Sequence, residues 1–313
     1  MKWITSTNIK QWADTRESQE LLPELIIRLI RATFKDVNTI KFPCGDAIHL
    51  SGWDGVLDSN ERIYNISSGI SLWECGVNSN PKDKADKDYR KRVNDSLGYK
   101  KQESTFVFVT PRVWDGATAW ANDKRQNKEW KDVVVITAVE LEEWLFQCPA
   151  VALWLASKIS GKSITNVQDL ESFWNKWAYS KEVRLEPKIL LVGREKEQQE
   201  MYNSISNSSV AIIQSIAQSE SLAFAVACIL EGQDKDNLLS RAIVVEDEDV
   251  LEHLINQYTN IVFIANVGHK NHTYALQNGH SIIYAASAAE SFNTAPNAKL
   301  IQLPLLDRKG FIE

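Results

Sequence analysis

Leu21, Leu22, Leu25, Ile26, Leu29 and Ile30 recur at the three-and-four spacing of one helix face, which predicts an amphipathic helix over residues 15–34 with Asp14 and Thr15 placed to cap it. The pattern then shortens. Aliphatic and aromatic segments at 47–57, 62–66 and 70–77, divided by Asp58-Ser59-Asn60 and Ser67-Ser68-Gly69, read as a small antiparallel meander. A lysine-rich stretch at 81–97 reads as a helix, and apolar runs of buried-strand length follow at 105–110, halted by Pro111, and at 133–137. Residues 139–159 are helical in pattern, with Leu141, Trp144, Leu145, Val151, Trp154 and Leu155 available for a core. The predicted order is helix, three strands, helix, strand, helix, strand, helix.

Residues 160–187 are more polar, hold one helical patch at 170–177 and end at Pro187, so they read as a linker. Beyond them, short apolar strands at 189–192, 209–214, 241–245, 260–264 and 281–284 alternate with helical stretches such as 219–231 and 249–258. That alternation predicts a parallel α/β sheet. The expected organisation is an α/β domain over 1–159, a linker over 160–187 and a second parallel α/β domain over 188–313, with no internal repeat and no low-complexity segment.

Composition agrees with the split. All 11 tryptophans lie between Trp3 and Trp177, so the two parts are built from different core material. No apolar run approaches the roughly 18 to 20 residues of a membrane span, and residues 1–12 lack the layout of a secretory signal, so a cytoplasmic protein without membrane contact is expected. Cys44, Cys75, Cys148 and Cys228 are too scattered for a disulfide framework or a paired zinc site and are expected to be reduced. A net charge of −6 argues against a surface that clings to nucleic acid everywhere, while leaving room for a local basic face.

Asp54, in Gly52-Trp53-Asp54-Gly55, stands on the strand leading to the Asp58–Asn60 turn, and Glu74, in Trp73-Glu74-Cys75-Gly76, on the third strand of the expected meander. Folded together, two such acids would hold a hard divalent cation, with the Cys75 carbonyl as a third oxygen ligand. Spacing alone also admits a plain hairpin turn at Asp54-Gly55 and a solvated strand residue at Glu74. Against this, Asp58–Asn60 is the better turn, and a carboxylate between Trp73 and Cys75 is costly without a partner. On the helix that follows, Lys84, Lys87 and Lys91 share a face that could track a phosphate backbone; the alternative is a solvated helix laced with i,i+4 ion pairs.

These residues also carry a resemblance. Arg16-Glu17-Ser18-Gln19, Leu22-Pro23-Glu24-Leu25, Gly52-Trp53-Asp54-Gly55, Ser71-Leu72-Trp73-Glu74-Cys75-Gly76, the run from Lys84 through Arg92, and Trp144-Leu145 with Pro149-Ala150-Val151 resemble, in this order, the Mrr-like nuclease domains at the N-terminus of bacterial antiviral STAND proteins. The likeness covers about half the chain. It implies a restriction-endonuclease-like PD-(D/E)XK fold, Mg²⁺ or Mn²⁺ on Asp54 and Glu74, and cleavage of double-stranded DNA in anti-phage defence. Lys84, Lys87, Lys91 and Arg92 are then expected on the nucleic acid, and Glu24 is expected either to aid metal binding or to lie on the surface. One departure matters. The lysine normally found two residues after the second acid is Gly76 here, so Lys84 or Lys82 has to supply the ammonium, or the domain binds without cutting.

In the second part, Leu191-Val192-Gly193-Arg194-Glu195 resembles the entry to a STAND-type NTPase module. The expected nucleotide loop is missing: Ser215-Ile216-Ala217-Gln218-Ser219-Glu220 has neither the glycines nor the Lys-Ser/Thr pair that phosphate and Mg²⁺ require. A degenerate P-loop NTPase-like domain without ATP hydrolysis is expected. His269 and His272 have no nearby cysteine or carboxylate to complete a metal site. The final residues, 303–313, resemble an internal junction, so a longer protein with a sensor domain, acting as a homo-oligomer, is expected.

Overall fold

Proline and glycine mark several of the element boundaries in the structure, a computed structural model that describes residues 1–43, 52–62, 64–160, 166–179, 184–268, 273–290 and 298–306. The chain is mixed α/β and divides into two compact units, Met1–Cys148 and Pro149–Glu313.

The first unit opens with a helix that the pattern did not predict, α1 (Ser6–Trp12), started by a capping box between Thr5 and Asn8. Next comes α2 (Glu17–Thr33), which buries Leu22, Leu25, Ile26, Leu29 and Ile30 as expected and carries Pro23 inside it. Five strands form one sheet in chain order: β1 (Val37–Lys41), β2 (Gly55–Ser59), β3 (Gly69–Cys75), β4 (Thr105–Val109) and β5 (Asp132–Ile136). The β1–β2 and β2–β3 pairs are antiparallel, and β3–β4 and β4–β5 are parallel.

The meander is therefore real, with different strands from those expected. Its first strand is β1, and the described residues of 62–66 belong to none of the strands: Tyr64 takes φ 59°, and its ring stacks on Trp144 at 5.2 Å. Asp58 and Ser59, expected as a turn, are the end of β2. Residues 47–51 of the expected first strand lie outside the described residues. On one face of the sheet, Leu72, Phe106 and Phe108 pack with Ala85 and Tyr89 of α3 (Pro81–Asn94) and with Trp120 of α4 (Ala117–Gln126).

The single helix expected over 139–159 is two, α5 (Ala138–Gln147) and α6 (Pro149–Ser160). Pro149 lacks an N–H and drives Cys148 out of the helical region, to φ −120° and ψ 75°. α6 belongs to the second unit, which moves the boundary from 159 to 148. The expected linker is likewise structural: β6 (Val167–Asp169) pairs antiparallel with β8 (Ala242–Val245), and α7 (Leu170–Ala178) buries Leu170, Phe173 and Trp174.

The expected strand at 189–192 is a 3₁₀ turn, Pro187–Leu191, begun by Pro187, and α8 (Glu195–Ser206) follows it. The remaining strands are β7 (Val210–Ser215), β9 (Val262–Ala265), β10 (Ser281–Ser287) and β11 (Lys299–Gln302); they and β8 are mutually parallel in the order β11-β7-β10-β9-β8, with β6 at the edge. β11 had no counterpart in the pattern. Between β7 and β8, α9 (Gln218–Glu231) is buried at every residue from Ser221 to Leu230 and packs on β7 and β10, the behaviour of a helix apolar on all sides. Two further helices, α10 (Lys235–Leu239) and α11 (Glu248–Gln257), complete the unit. Among the described residues, Cys75, Cys148 and Cys228 are free thiols and no helix is long and apolar enough to cross a membrane.

His280 is wholly buried in this unit. Its Nδ1 accepts from the Ile261 N–H at 3.0 Å, so the neutral ring carries its proton on Nε2, which donates to the Ile255 carbonyl at 3.2 Å. Burial pulls its pKa below the ordinary 6.5, and the backbone contacts do not restore it. The folded chain then binds this proton more weakly than the unfolded chain. The stability tied to neutral His280 is complete above pH 6.5 and is lost progressively as pH falls from there through the lower folded value. Hydrogen exchange at the Ile261 amide, corrected for its intrinsic rate, should show a protection factor that falls from neutral pH to pH 5; an unchanged factor would contradict this account.

Candidate active site

Antiparallel pairing brings the two acids together. Gly55 pairs with Trp73, which sets Asp54, just before β2, near Glu74 of β3, close enough for its charge to act on the Glu74 carboxyl. Asp54 is half-buried, and its Oδ2 accepts from the Cys75 N–H at 2.7 Å. Glu74 is only 3% exposed and forms an ion pair through Oε1 with Nε of Arg92. Burial, then the charge of Asp54, outweigh that pair and push the Glu74 carboxyl up to about 8. Two carboxylates with little water between them repel, and a shared cation relieves the repulsion.

Successive residues of a strand point to opposite faces, so Glu74 and Gly76 share the face that meets α3. Pro81 at the first position and Asn80, whose side chain accepts from the Asp83 N–H, start this helix. Its inward face presents Lys84, Asp88 and Arg92, each four residues from the last. Lys84 Nζ lies 2.7 Å from Oδ2 of Asp88, which is 4% exposed. Burial alone would lower the Lys84 pKa, but Asp88, with Glu74 and Asp54 beyond it, turns the net shift upward and keeps the ammonium charged. Burial raises the Asp88 carboxyl more than Lys84 lowers it.

The Lys84 stem occupies the space over Gly76. A Cβ built on Gly76 would lie 2.7 Å from Lys84 Cγ and 3.1 Å from the Phe108 ring, so a side chain here and Lys84 in its present place exclude each other. An open cleft of about 290 Å³ is lined by Gln19, Leu22 and Pro23 of α2 together with Asp54, Cys75, Gly76, Val77, Asn78 and Lys84. Pro23 has no N–H to return to the carbonyl of Gln19. Burial, then Asp54, push the Cys75 thiol upward, so it stays protonated and Cys75 offers only its backbone.

The other expected residues stand apart from the cleft. Lys82 pairs with Asp86 at 2.7 Å, and Asp86 also accepts from the Trp120 indole. Glu24 pairs with Arg28 at 2.8 Å on α2 and is not part of the cleft lining. Lys87 and Lys91 are exposed along α3. Arg92 departs from expectation: it is 2% exposed and engaged by Glu74, so it does not offer its charge at the surface. Sequence reasoning passed over Gln19 and Asp88; the spacing of Asp88 from Lys84 and Arg92 was the available signal.

Among the described residues no group of three or more histidine, cysteine or carboxylate side chains is placed to hold a metal. A cation here would rest on two carboxylates, a carbonyl and water, a set that suits Mg²⁺, which keeps several waters and takes one or two carboxylates. His269 and His272 lie outside the described residues. A larger cavity, about 410 Å³, lies in the second unit between α8 and the end of α9, lined by Glu195, Tyr202, Glu231 and Asp234 among others, away from the start of α9.

At that start, Ser221 Oγ donates to Ser215 Oγ at 2.9 Å and contacts the Ala286 carbonyl oxygen at 2.8 Å, while Gln218 donates to Ala285. The buried Arg194 pairs with Glu220 at 2.6 Å and donates to the Pro304 carbonyl. Comparison with protein-family models and with curated proteins gives no match.

A Gly76→Ala substitution should displace Lys84 and cost about 1–3 kcal/mol through overpacking against Phe108. Denaturant unfolding checks the cost; a variant as stable as the parent would show that Lys84 does not fill this space.

Proposed function

We propose that the first unit is a PD-(D/E)XK-type, restriction-endonuclease-like domain that cleaves double-stranded DNA with Mg²⁺ or Mn²⁺. The observation that carries this reading is the cleft lined by Asp54, Cys75 and Lys84, with the buried Glu74 close enough to feel the charge of Asp54 and the Lys84 stem in the room above Gly76. Lys84 thereby supplies from α3 the ammonium that the resemblance expects on β3. When bound, the cation polarises a phosphoryl oxygen and acidifies a water. Asp54 and Glu74 would hold it, with the Cys75 carbonyl as a further oxygen ligand. The Lys84 ammonium, kept charged by Asp88, stabilises the charge that develops on the phosphate. Exposed Lys87 and Lys91 contact the flanking backbone electrostatically.

One observation favours a second reading, a DNA-binding or oligomerisation module without catalysis: Glu74 is buried and already neutralised in part by Arg92. It requires salt-sensitive DNA retention and no metal-dependent product. In the second unit, the segment Ser215–Glu220 that leads into α9 has neither glycine nor lysine, and Gln218 and Ser221 bond to β10 carbonyls, which supports a degenerate NTPase-like module that does not hydrolyse ATP. A homo-oligomeric effector joined to a sensor domain in bacterial defence completes the proposal.

Plasmid DNA should be cut with Mg²⁺ by the parent chain and not by Asp54→Ala or Glu74→Ala; equal cutting by all three rejects the site. Lys84→Met should lower the rate by about 10²–10³, and Lys82→Met should leave it near the parent's, both read from initial rates. Because the Glu74 carboxyl is raised to about 8, cation binding must expel its proton in neutral solution. Calorimetric Mn²⁺ affinity should therefore rise between pH 6 and 8 with proton release; a flat profile contradicts Glu74 as a ligand.

A further inference from the structure

Arg92 makes three contacts, and all of them converge on the two acids. Its Nε donates to Oε1 of Glu74, its Nη2 donates to the Gly52 carbonyl, and its guanidinium lies 4.5 Å from the centre of the Trp53 ring. Gly52 and Trp53 are the residues that lead directly into Asp54. The Trp53 indole is fixed in turn by donating to the Ser96 carbonyl at 3.3 Å and by edge-on packing against Phe106 and Trp130. Arg92 itself is held within α3, eight residues from Lys84 on the same face.

We propose that Arg92 is a positioning residue: it ties the backbone that carries Asp54 to the side chain of Glu74, occupying Oε1 and leaving Oε2 for a cation shared with Asp54. This rests on the metal-site reading given above. An arginine suits the task because its planar fork can bond two acceptors while its face stacks on an aromatic ring, which a lysine cannot do. Its burial separates this role from phosphate binding. Partners that orient metal ligands in this way typically govern affinity by 10- to 100-fold.

The test uses the full chain and reads Mn²⁺ binding from the free-ion signal in electron paramagnetic resonance, with DNA retention measured against salt in EDTA. Arg92→Gln should bind Mn²⁺ about 10- to 100-fold more weakly, Arg92→Lys should recover part of the loss, and the salt slope of DNA retention should match the parent's. Trp53→Leu, which removes the stacking surface and keeps every charge, should weaken Mn²⁺ binding in the same direction and serves if Arg92→Gln does not fold. Parental Mn²⁺ affinity in a folded Arg92→Gln protein with a lower melting temperature makes Arg92 purely structural and overturns the inference while the metal site stands. A salt slope reduced by about one returns Arg92 to the phosphate backbone and overturns it as well. Absence of Mn²⁺ binding by the parent removes the metal site, and this inference with it.

Discussion

Two carboxylates near each other at the end of an antiparallel strand pair, one of them almost without water, set the constraint around which the first unit is arranged. Burying a charge next to a like charge is unfavourable in proportion to how little solvent screens it. The chain meets that cost from α3, which delivers cation, anion and cation at four-residue intervals: Lys84, Asp88 and Arg92. Arg92 offsets part of the charge on Glu74, and Asp88 holds the Lys84 ammonium beside the cleft. The Glu74 carboxyl nevertheless remains raised, so in neutral solution it holds a proton unless a cation displaces it. That exchange links the packing of α3 to the proposed chemistry.

Much of this arrangement could be read from residue order because it depends on local rules. Strand alternation set Asp54 and Glu74 on the first and third strands of the expected meander, and they come together because β2 pairs directly with β3. The first strand, β1, was less legible, because its Val37-Asn38-Thr39-Ile40-Lys41 is half-exposed and shows no clean alternation. Pro149 is visible in the chain, yet Val139 to Ile159 keeps helical periodicity on both sides of it, which masks the break that the missing N–H imposes. Arg92 was misread for a different reason. A lysine- and arginine-rich helix looks uniformly solvated in one dimension, and only the helix rotation, fixed by Ala85 and Tyr89 against Phe106 and Phe108, turns this arginine inward.

The second unit shows where sequence pattern has less to say. Its central helix is apolar all round, so its core position was legible, whereas β6 and β11 were not: three or four residues with little alternation become strands because neighbouring strands offer open edges. The start of α9 is informative through what fills it. Ser215, Gln218 and Ser221 hydrogen-bond with one another or with the backbone of the loop and of β10, and Glu220 pairs with the buried Arg194, so these side chains engage the protein itself. The chemistry proposed for the protein is accordingly confined to the first unit.

Anomalous scattering from crystals soaked in Mn²⁺ locates the cation and its ligands in one observation. The account predicts a single strong peak within coordination distance of both Asp54 and Glu74, at the mouth of the cleft that holds Lys84. A peak elsewhere, or none there while Glu74 stays closed on Arg92, would contradict it.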